Sequence, residues 1–141
     1  MKAISLTQPY ATAVALSIKP EETRSWRTTY RGPLAIHASK GFPRWARDFA
    51  AEEWVIGRLP PPSNLPLGAM LCLVRLVDCV RTEDRIGHIS ETTFLYGDYT
   101  PGRWAWMLDL VEVFPEPIRA TGALGLWEWD PSAATRTVDV R

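Results

Sequence analysis

The longest apolar run of the chain is GAMLCLVRLVDCV, at residues 68–80. Valine, leucine and cysteine are frequent in it, a composition typical of a strand that crosses a barrel. Two more strands are predicted after it, at residues 104–114 and 124–129, and we expect Pro115 and Pro117 to end the first of them. Three neighbouring strands at the C-terminal end favour a closed or nearly closed mixed β-barrel over a doubly wound sheet.

The N-terminal half of the sequence predicts three strands and two helices. Residues 2–6 and 21–27 alternate, residues 34–38 are typical of a buried strand, and apolar residues recur at helical spacing in the predicted helices. Thr7 or Gln8 is expected to cap the first helix, with Pro9 in its first turn. Residues 59–67 are rich in proline and residues 82–100 are polar, so both segments are predicted to be loops and turns. The predicted strands cover residues 2–6, 21–27 and 34–38, and the predicted helices cover residues 9–17 and 43–57.

These elements follow one another as β-α-β-β-α-β-β-β, which describes an α+β fold with flanking helices. The length of 141 residues fits one domain. We place that domain at residues 1–130 and a C-terminal tail without a core pattern at residues 131–141. No stretch reaches the roughly eighteen apolar residues that a membrane span needs. Two cysteines and two histidines match no zinc or disulfide pattern. We therefore expect a monomeric, cytoplasmic protein that holds no metal or cofactor and binds no membrane.

The charges of the chain are unevenly distributed, although they sum to zero. Residues 19–47 contain seven lysines and arginines against two glutamates. Residues 48–141 contain eight arginines against fourteen carboxylates. A basic segment in an otherwise acidic chain indicates a local site for an anion.

The segment KPEETRSW, at residues 19–26, contains several charged side chains and a tryptophan that could bind a ligand or take part in catalysis. On a strand, Glu22, Arg24 and Trp26 point to one side at intervals of about 7 Å, and Lys19 comes just before them. A carboxylate and a guanidinium can bind the edge of a base, and an indole can stack on its face. The structural alternative is a surface strand with a Glu–Arg pair and a half-buried tryptophan.

Two other polar clusters are candidates for ligand binding. One follows the predicted strand at residues 34–38, where the mouth of a barrel would lie, and its histidine could equally be a structural residue. The other is a glycine-bounded aromatic loop, which could instead cover one end of the barrel. Gln8, at the start of the first helix, could reach an anion there. The candidates in the two clusters are His37, Ser39 and Lys40, and Tyr99, Arg103 and Trp104.

Four motifs of the sequence together resemble the ASCH domains, the activating signal cointegrator homology domains of the PUA-like superfamily. They are QPYA at residues 8–11, KPEETR at 19–24, GPLAIHAS at 32–39 and GRW at 102–104. The resemblance runs from Ile4 to Trp129 and implies a PUA-like mixed β-barrel with a cleft suited to RNA, DNA or a nucleoside. Lys19, Glu22 and Arg24 fall on the charged motif of the family. Its leading glycine is replaced here by Ser17.

The resemblance leaves two functions open. Some ASCH domains are similar to binding modules of RNA metabolism or transcription, which implies RNA, single-stranded DNA or a nucleoside as partner. Others resemble hydrolases, either amidohydrolases of acetylated cytidine or ribonucleases, and in such an enzyme Lys19 and Glu22 would be the catalytic residues. The amidohydrolase branch has a threonine where this chain has Glu22. We expect Lys19 to be a charged surface residue that contacts the ligand, which favours the binding module.

Overall fold

The computed structural model describes residues 1–132. It contains a mixed six-stranded sheet and four short helices, so the fold is α+β. In this part of the chain, no helix is both long and apolar enough to cross a membrane. The strands are β1 (Lys2–Leu6), β2 (Glu21–Arg24), β3 (Gly32–Ala38), β4 (Ala69–Arg81), β5 (Trp104–Arg119) and β6 (Trp127–Glu128); the helices are α1 (Tyr10–Ala15), α2 (Arg44–Ala50), α3 (Glu53–Ile56) and α4 (Glu91–Leu95).

The strands are ordered β2-β5-β4-β3-β1-β6 in the sheet. β1 and β3 run parallel, and the other neighbouring pairs are antiparallel. The long strands β4 and β5 form the centre, and the apolar run that we took as decisive lies in β4. A core of aliphatic side chains packs between β1, β3, β4, β5 and α1, and the buried ring of Trp106 belongs to it.

The sheet has two edges in the described residues, β2 and β6, and no ladder of hydrogen bonds joins them. Closure into a PUA-like barrel therefore remains a prediction. β6 pairs with β1 only at Lys2 and Ala3, which leaves the far end of β1 paired with β3 on one side and without a strand on the side of β6. Across this opening, the Arg24 side chain of β2 donates to the carbonyl of Ser5 at 2.8 Å. A side chain thus links the two parts of the sheet where no strand pairing does, and a cleft remains between β1 and β2.

The prediction that two prolines end the fifth strand is wrong, because β5 continues through Pro115 and Pro117 to Arg119. The register of β4 with β5 is irregular between Met70 and Cys72, opposite this proline segment. On its other side, β5 pairs with β2 only over residues 104–107. A missing N–H is tolerated at a bulge and on an open edge, and both conditions hold here.

The predicted loops and the predicted second helix also differ from the structure. The segments predicted to be loops contain short helical turns, at Pro62–Asn64, at Thr82–Asp84 and at α4. The predicted second helix is divided into α2 and α3. Apart from its first two residues, the predicted C-terminal tail lies outside the described residues.

Candidate functional site

The cleft between β1 and β2 has a volume of about 530 Å³. Its floor and one wall come from β2 and the end of β1, and its rim comes from α1, α2 and the segment after α4. We call it the β1–β2 cleft. Its polar lining residues are Ser5, Thr7, Tyr10, Lys19, Glu22, Thr23, Arg24, Ser25, Tyr96, Asp98 and Arg103, and its apolar ones include Trp26, Trp45 and Leu95.

A turn at the end of α1 positions Lys19 in this cleft. Ser17 has a φ of 60°, the left-handed conformation that glycine adopts most readily. The N–H groups of Ile18 and Lys19 both donate to the carbonyl of Ala13, at 2.9 and 3.1 Å. The chain therefore turns back sharply, and the Lys19 side chain enters the molecule instead of solvent. Ser17 occupies the position of the family's glycine and adopts a glycine-like conformation.

Lys19, Glu22 and Arg24 form one connected network. The Lys19 ammonium lies 3.2 Å from Glu22 Oε1 and donates to the carbonyl of Glu21 at 2.8 Å. The other carboxylate oxygen of Glu22 accepts from Arg24 Nε at 3.0 Å. One carboxylate is thus held between two cations, which leaves the trio with one net positive charge.

The expectation that Lys19 is a surface residue is wrong, because its side chain is only 1% exposed. Burial lowers the pKa of Lys19, since the charged ammonium loses its hydration. The neighbouring Glu22 carboxylate opposes this shift, and Arg24 adds to it. The net direction is downward, so a proton leaves Lys19 more easily than it leaves a lysine in water.

Tyr99 lies beneath the cleft and does not line it. The Tyr99 side chain is buried, and its hydroxyl donates to Glu21 Oε1 at 2.9 Å. Arg85 holds the other oxygen of Glu21 at 2.7 Å. This buried group supports β2 from behind, so we remove Tyr99 from the candidate stacking residues.

Trp26 is the candidate aromatic that does line the cleft. It is 36% exposed, and its ring packs edge-on against that of Trp106 at 4.8 Å between centroids. Trp45 of α2, which is 61% exposed, contributes a second indole to the lining. Trp104 lies elsewhere, with the guanidinium groups of Arg27 and Arg81 over its ring. We therefore remove Trp104 from the ligand-binding set.

Arg103 lines the cleft, but its charge is already paired. Its guanidinium lies 3.4 Å from the carboxylate of Asp98 and also donates to the carbonyls of Asp98 and Thr23. Arg103 thus fastens the segment after α4 to β2. It contributes less free positive charge to the cleft than the sequence suggested.

Gln8 is a structural residue. Its side chain is completely buried and accepts from the Thr12 N–H at 3.0 Å. The amide nitrogen donates to the Thr12 hydroxyl and to the Pro66 carbonyl, each at 2.8 Å. These bonds hold the start of α1 to a distant loop, so Gln8 has no polar atom left for an anion and is removed from the candidates.

His37, Ser39 and Lys40 line a second cavity, of about 710 Å³, between the end of β3 and the segment that follows β5. We call it the His37 pocket. The sequence predicted that these residues lie at the mouth of a barrel, and the structure places them in a cavity separate from the β1–β2 cleft. Ser5 is the residue that lines both.

The hydrogen bonds of His37 are internal, and its nearest hydroxyl is not that of Ser39. The ring Nε2 donates to the carbonyl of Ala120 at 2.8 Å, because a carbonyl can only accept. Nδ1 then accepts from the Ser5 hydroxyl at 2.9 Å, and Ser5 Oγ accepts from Trp127 Nε1 at 3.2 Å. Burial lowers the pKa of His37, which favours the neutral ring that this pattern requires. The chain of bonds fastens the segment after β5 onto β1.

The model of the ASCH domain family matches residues 4–117 of the chain. This protein belongs to the ASCH domain family. A comparison with curated proteins finds no match to the chain. Among solved structures, the chain is similar to a mutant of the ZmASCH protein from Zymomonas mobilis, with 15% identity and a TM-score of 0.59 over 99% of this chain and 96% of that one. At this identity the likeness shows a shared ASCH fold.

The β1–β2 cleft also contains groups that sequence reasoning missed. Tyr10 lines the cleft, and burial and the Glu22 carboxylate raise the pKa of its hydroxyl. Tyr96 lines it too, and within residues 1–132 its buried hydroxyl has no hydrogen-bond partner. Tyr10 follows the Gln-Pro pair of a motif that we quoted, so it could have been found; nothing in the sequence marks Tyr96. The described residues bring no three His, Cys, Asp or Glu side chains together as a metal site would require.

Proposed function

We propose that the β1–β2 cleft binds a nucleotide unit of single-stranded RNA or a related nucleic acid. The observation that carries this proposal is the Lys19–Glu22–Arg24 network in a cleft whose wall includes the half-exposed ring of Trp26. Such a site has polar groups that can contact the edge of a base and an indole that can stack on its face. The family, whose members include nucleic-acid-related domains, supports the same conclusion.

Glu22 and Arg24 have capacity left for a ligand. Among the described residues, each oxygen of Glu22 has one cationic partner, and a carboxylate has about four acceptor positions in total. Glu22 can therefore still accept from the exocyclic amine of a base. The Arg24 side chain is 24% exposed, so it can donate to a base carbonyl or a phosphate from the position that its bond to Ser5 fixes.

Stacking supplies the less specific part of the binding. Aromatic side chains stack on bases with about 1–3 kcal/mol per base and with little preference among sequences. Trp26 and Trp45 both line the cleft, and both have a large exposed fraction. A base can therefore stack on one of these indoles and displace water from it, while the edge of the base contacts Glu22.

The charge of the cleft predicts a weak dependence on salt. Arg103 is paired with Asp98 and Arg24 with Glu22, so about one positive charge remains without a carboxylate. One neutralised phosphate contributes about 0.7 to the logarithmic salt slope of a single strand. We therefore expect the cleft itself to contribute a slope of about one, less than its count of cations would suggest.

One observation favours a second candidate function, that of a small hydrolase. The lowered pKa of Lys19 raises the share of its neutral amine, which can accept a proton from water or from a ribose hydroxyl. An amidohydrolase of acetylated cytidine or a ribonuclease would need such a base. The hydrogen bond to Glu21 and the Glu22 carboxylate oppose it, because both stabilise the ammonium.

Binding of a fluorescently labelled, single-stranded RNA measured by anisotropy tests the proposal. Trp26→Leu should weaken binding by about tenfold, the equivalent of roughly 1.4 kcal/mol and within the range for one stacked base. Trp54→Leu is the matched control, because Trp54 is 41% exposed but does not line the cleft. Equal loss in both variants, with both folded, would contradict the proposal.

The same protein incubated with RNA and with acetylated cytidine separates binding from hydrolysis. Chromatography should recover both compounds unchanged if the cleft only binds. Conversion that disappears in a folded Lys19→Met variant would establish the hydrolase in its place.

A further inference from the structure

The His37 pocket contains two cations that no group in the described residues neutralises. Lys40 and Arg119 both line the pocket, both are exposed, and neither has an ion pair or side-chain hydrogen bond within residues 1–132. The described residues that line this pocket include no carboxylate. Arginines of the β1–β2 cleft, by contrast, are paired with Glu22 and Asp98. The free positive charge around these two cavities is therefore concentrated in the His37 pocket.

The rest of the lining suits a phosphate group. The hydroxyl groups of Ser39 and Thr121 are available as neutral donors, since no described group bonds to either side chain. Leu67 and Leu124 add apolar surface, and Leu124 is 97% exposed. Two cations, two hydroxyls and an apolar wall match an anion that is joined to an organic group more closely than they match a free inorganic ion.

The two cavities meet at a single residue. Ser5 gives its carbonyl to Arg24 on the side of the β1–β2 cleft and its hydroxyl to His37 on the other side. Lys40 lies two residues after Ala38, the last residue of β3. Because Ser5 lines both cavities, a strand of one or two nucleotides that occupies both would pass over Ser5.

We propose that the His37 pocket binds a phosphodiester of the same strand whose base occupies the β1–β2 cleft. The ligand is then an oligonucleotide, and a free nucleoside fills only the first of two connected subsites. This inference rests on the proposed function of the cleft. It adds a substrate class and assigns the phosphate contacts to Lys40 and Arg119.

A double variant, Lys40→Gln with Arg119→Gln, tests the proposal. The matched control is Arg47→Gln with Arg75→Gln, which removes two exposed arginines that line neither cavity. The probes are cytidine, inorganic phosphate and a labelled four-nucleotide RNA, each titrated at 50 and 200 mM salt. Thermal unfolding confirms that the variants are folded.

Loss of the contact to one phosphate should reduce the logarithmic salt slope for the RNA by about 0.7. Between 50 and 200 mM salt, the wild-type protein should then lose about 2.6-fold more RNA affinity than the double variant does. The affinity for cytidine should be the same in both proteins, and the control should behave as the wild-type protein does.

Each other outcome overturns a different statement. An unchanged salt slope in the double variant, with RNA binding still lost in Trp26→Leu, would contradict this inference and leave the proposed function intact. Phosphate that binds the pocket as tightly as RNA does would show a free anion site instead. If the wild-type protein binds neither cytidine nor RNA, the proposed function itself fails, and this inference fails with it.

Discussion

Replacement of Lys19 by methionine tests whether the buried ammonium is part of the fold. Methionine has a similar length but no charge, so the change removes the ion pair with Glu22 and the hydrogen bond to the Glu21 carbonyl. Lys2→Met is the matched control, because Lys2 is 39% exposed and its partner Glu128 is 67% exposed. The two variants lose the same charge in opposite environments.

The size of the effect follows from burial. Removal of one partner from a buried ion pair costs about 3–5 kcal/mol, because the other charge remains without compensation. Glu22 is 12% exposed and keeps Arg24 at 3.0 Å, so we expect the lower part of this range, about 3 kcal/mol. For a domain of this size, such a loss lowers Tm by about 10 °C. The exposed pair of Lys2 should contribute less than about 1 kcal/mol.

Urea unfolding followed by circular dichroism measures the free energy of unfolding of both variants. The double variant Lys19→Met with Glu22→Gln should recover part of the loss, since it leaves no buried carboxylate that lacks its lysine. A loss in Lys19→Met no larger than that in Lys2→Met would refute the reasoning. It would mean that the Lys19 ammonium is solvated and contributes nothing to the stability of the cleft.

Three other predictions concern stability. Gly122→Ala should lower the free energy of unfolding by about 1–3 kcal/mol, because the new Cβ would lie 2.5 Å from the Ser5 hydroxyl. Gly41→Ala is the control, because a Cβ there would have nothing within 4 Å. Urea unfolding compares the two variants, and equal effects would contradict the close approach at Gly122. The free energy of unfolding should fall as pH decreases below about 6.5. Burial lowers the pKa of His37 in the folded protein, so at these pH values the unfolded chain binds a proton that the folded protein does not. A His37→Gln variant with the same pH profile as the wild-type protein would contradict this role of His37. Ser17→Gly should raise Tm by a few degrees, because it relieves about 1 kcal/mol of left-handed strain, and a lower Tm would count against that conformation.

The sequence predicted elements whose pattern is local. Alternation placed β1 well, apolar runs placed β3 and β4 well, and Glu22 and Arg24 lie on one strand as predicted. The sequence did not predict that β5 continues through its prolines. A proline is tolerated in a strand only at a bulge opposite the partner strand or on an open edge. That information lies in the register with β4 and not in β5 itself.

The roles of single side chains were harder to predict because their partners lie far away in the chain. The Gln8 side chain donates a hydrogen bond to the carbonyl of Pro66, which lies 58 residues further along the chain. The His37 ring forms a hydrogen bond with the carbonyl of Ala120, 83 residues away, and so helps to hold the segment after β5 in place. Lys19 is buried by the turn at Ser17, whose left-handed conformation could have been inferred only from the glycine that the family motif has there. A lysine looks solvated in any sequence until the packing around it is known.

The position of a bound nucleotide is the most direct test of the proposed function. Chemical-shift mapping by NMR with cytidine monophosphate would locate it residue by residue in solution. We predict shifts centred on Glu22, Arg24 and Trp26, with smaller shifts at Ser5. Shifts confined to the exposed face of β4 and β5, with the β1–β2 cleft unaffected, would contradict the account.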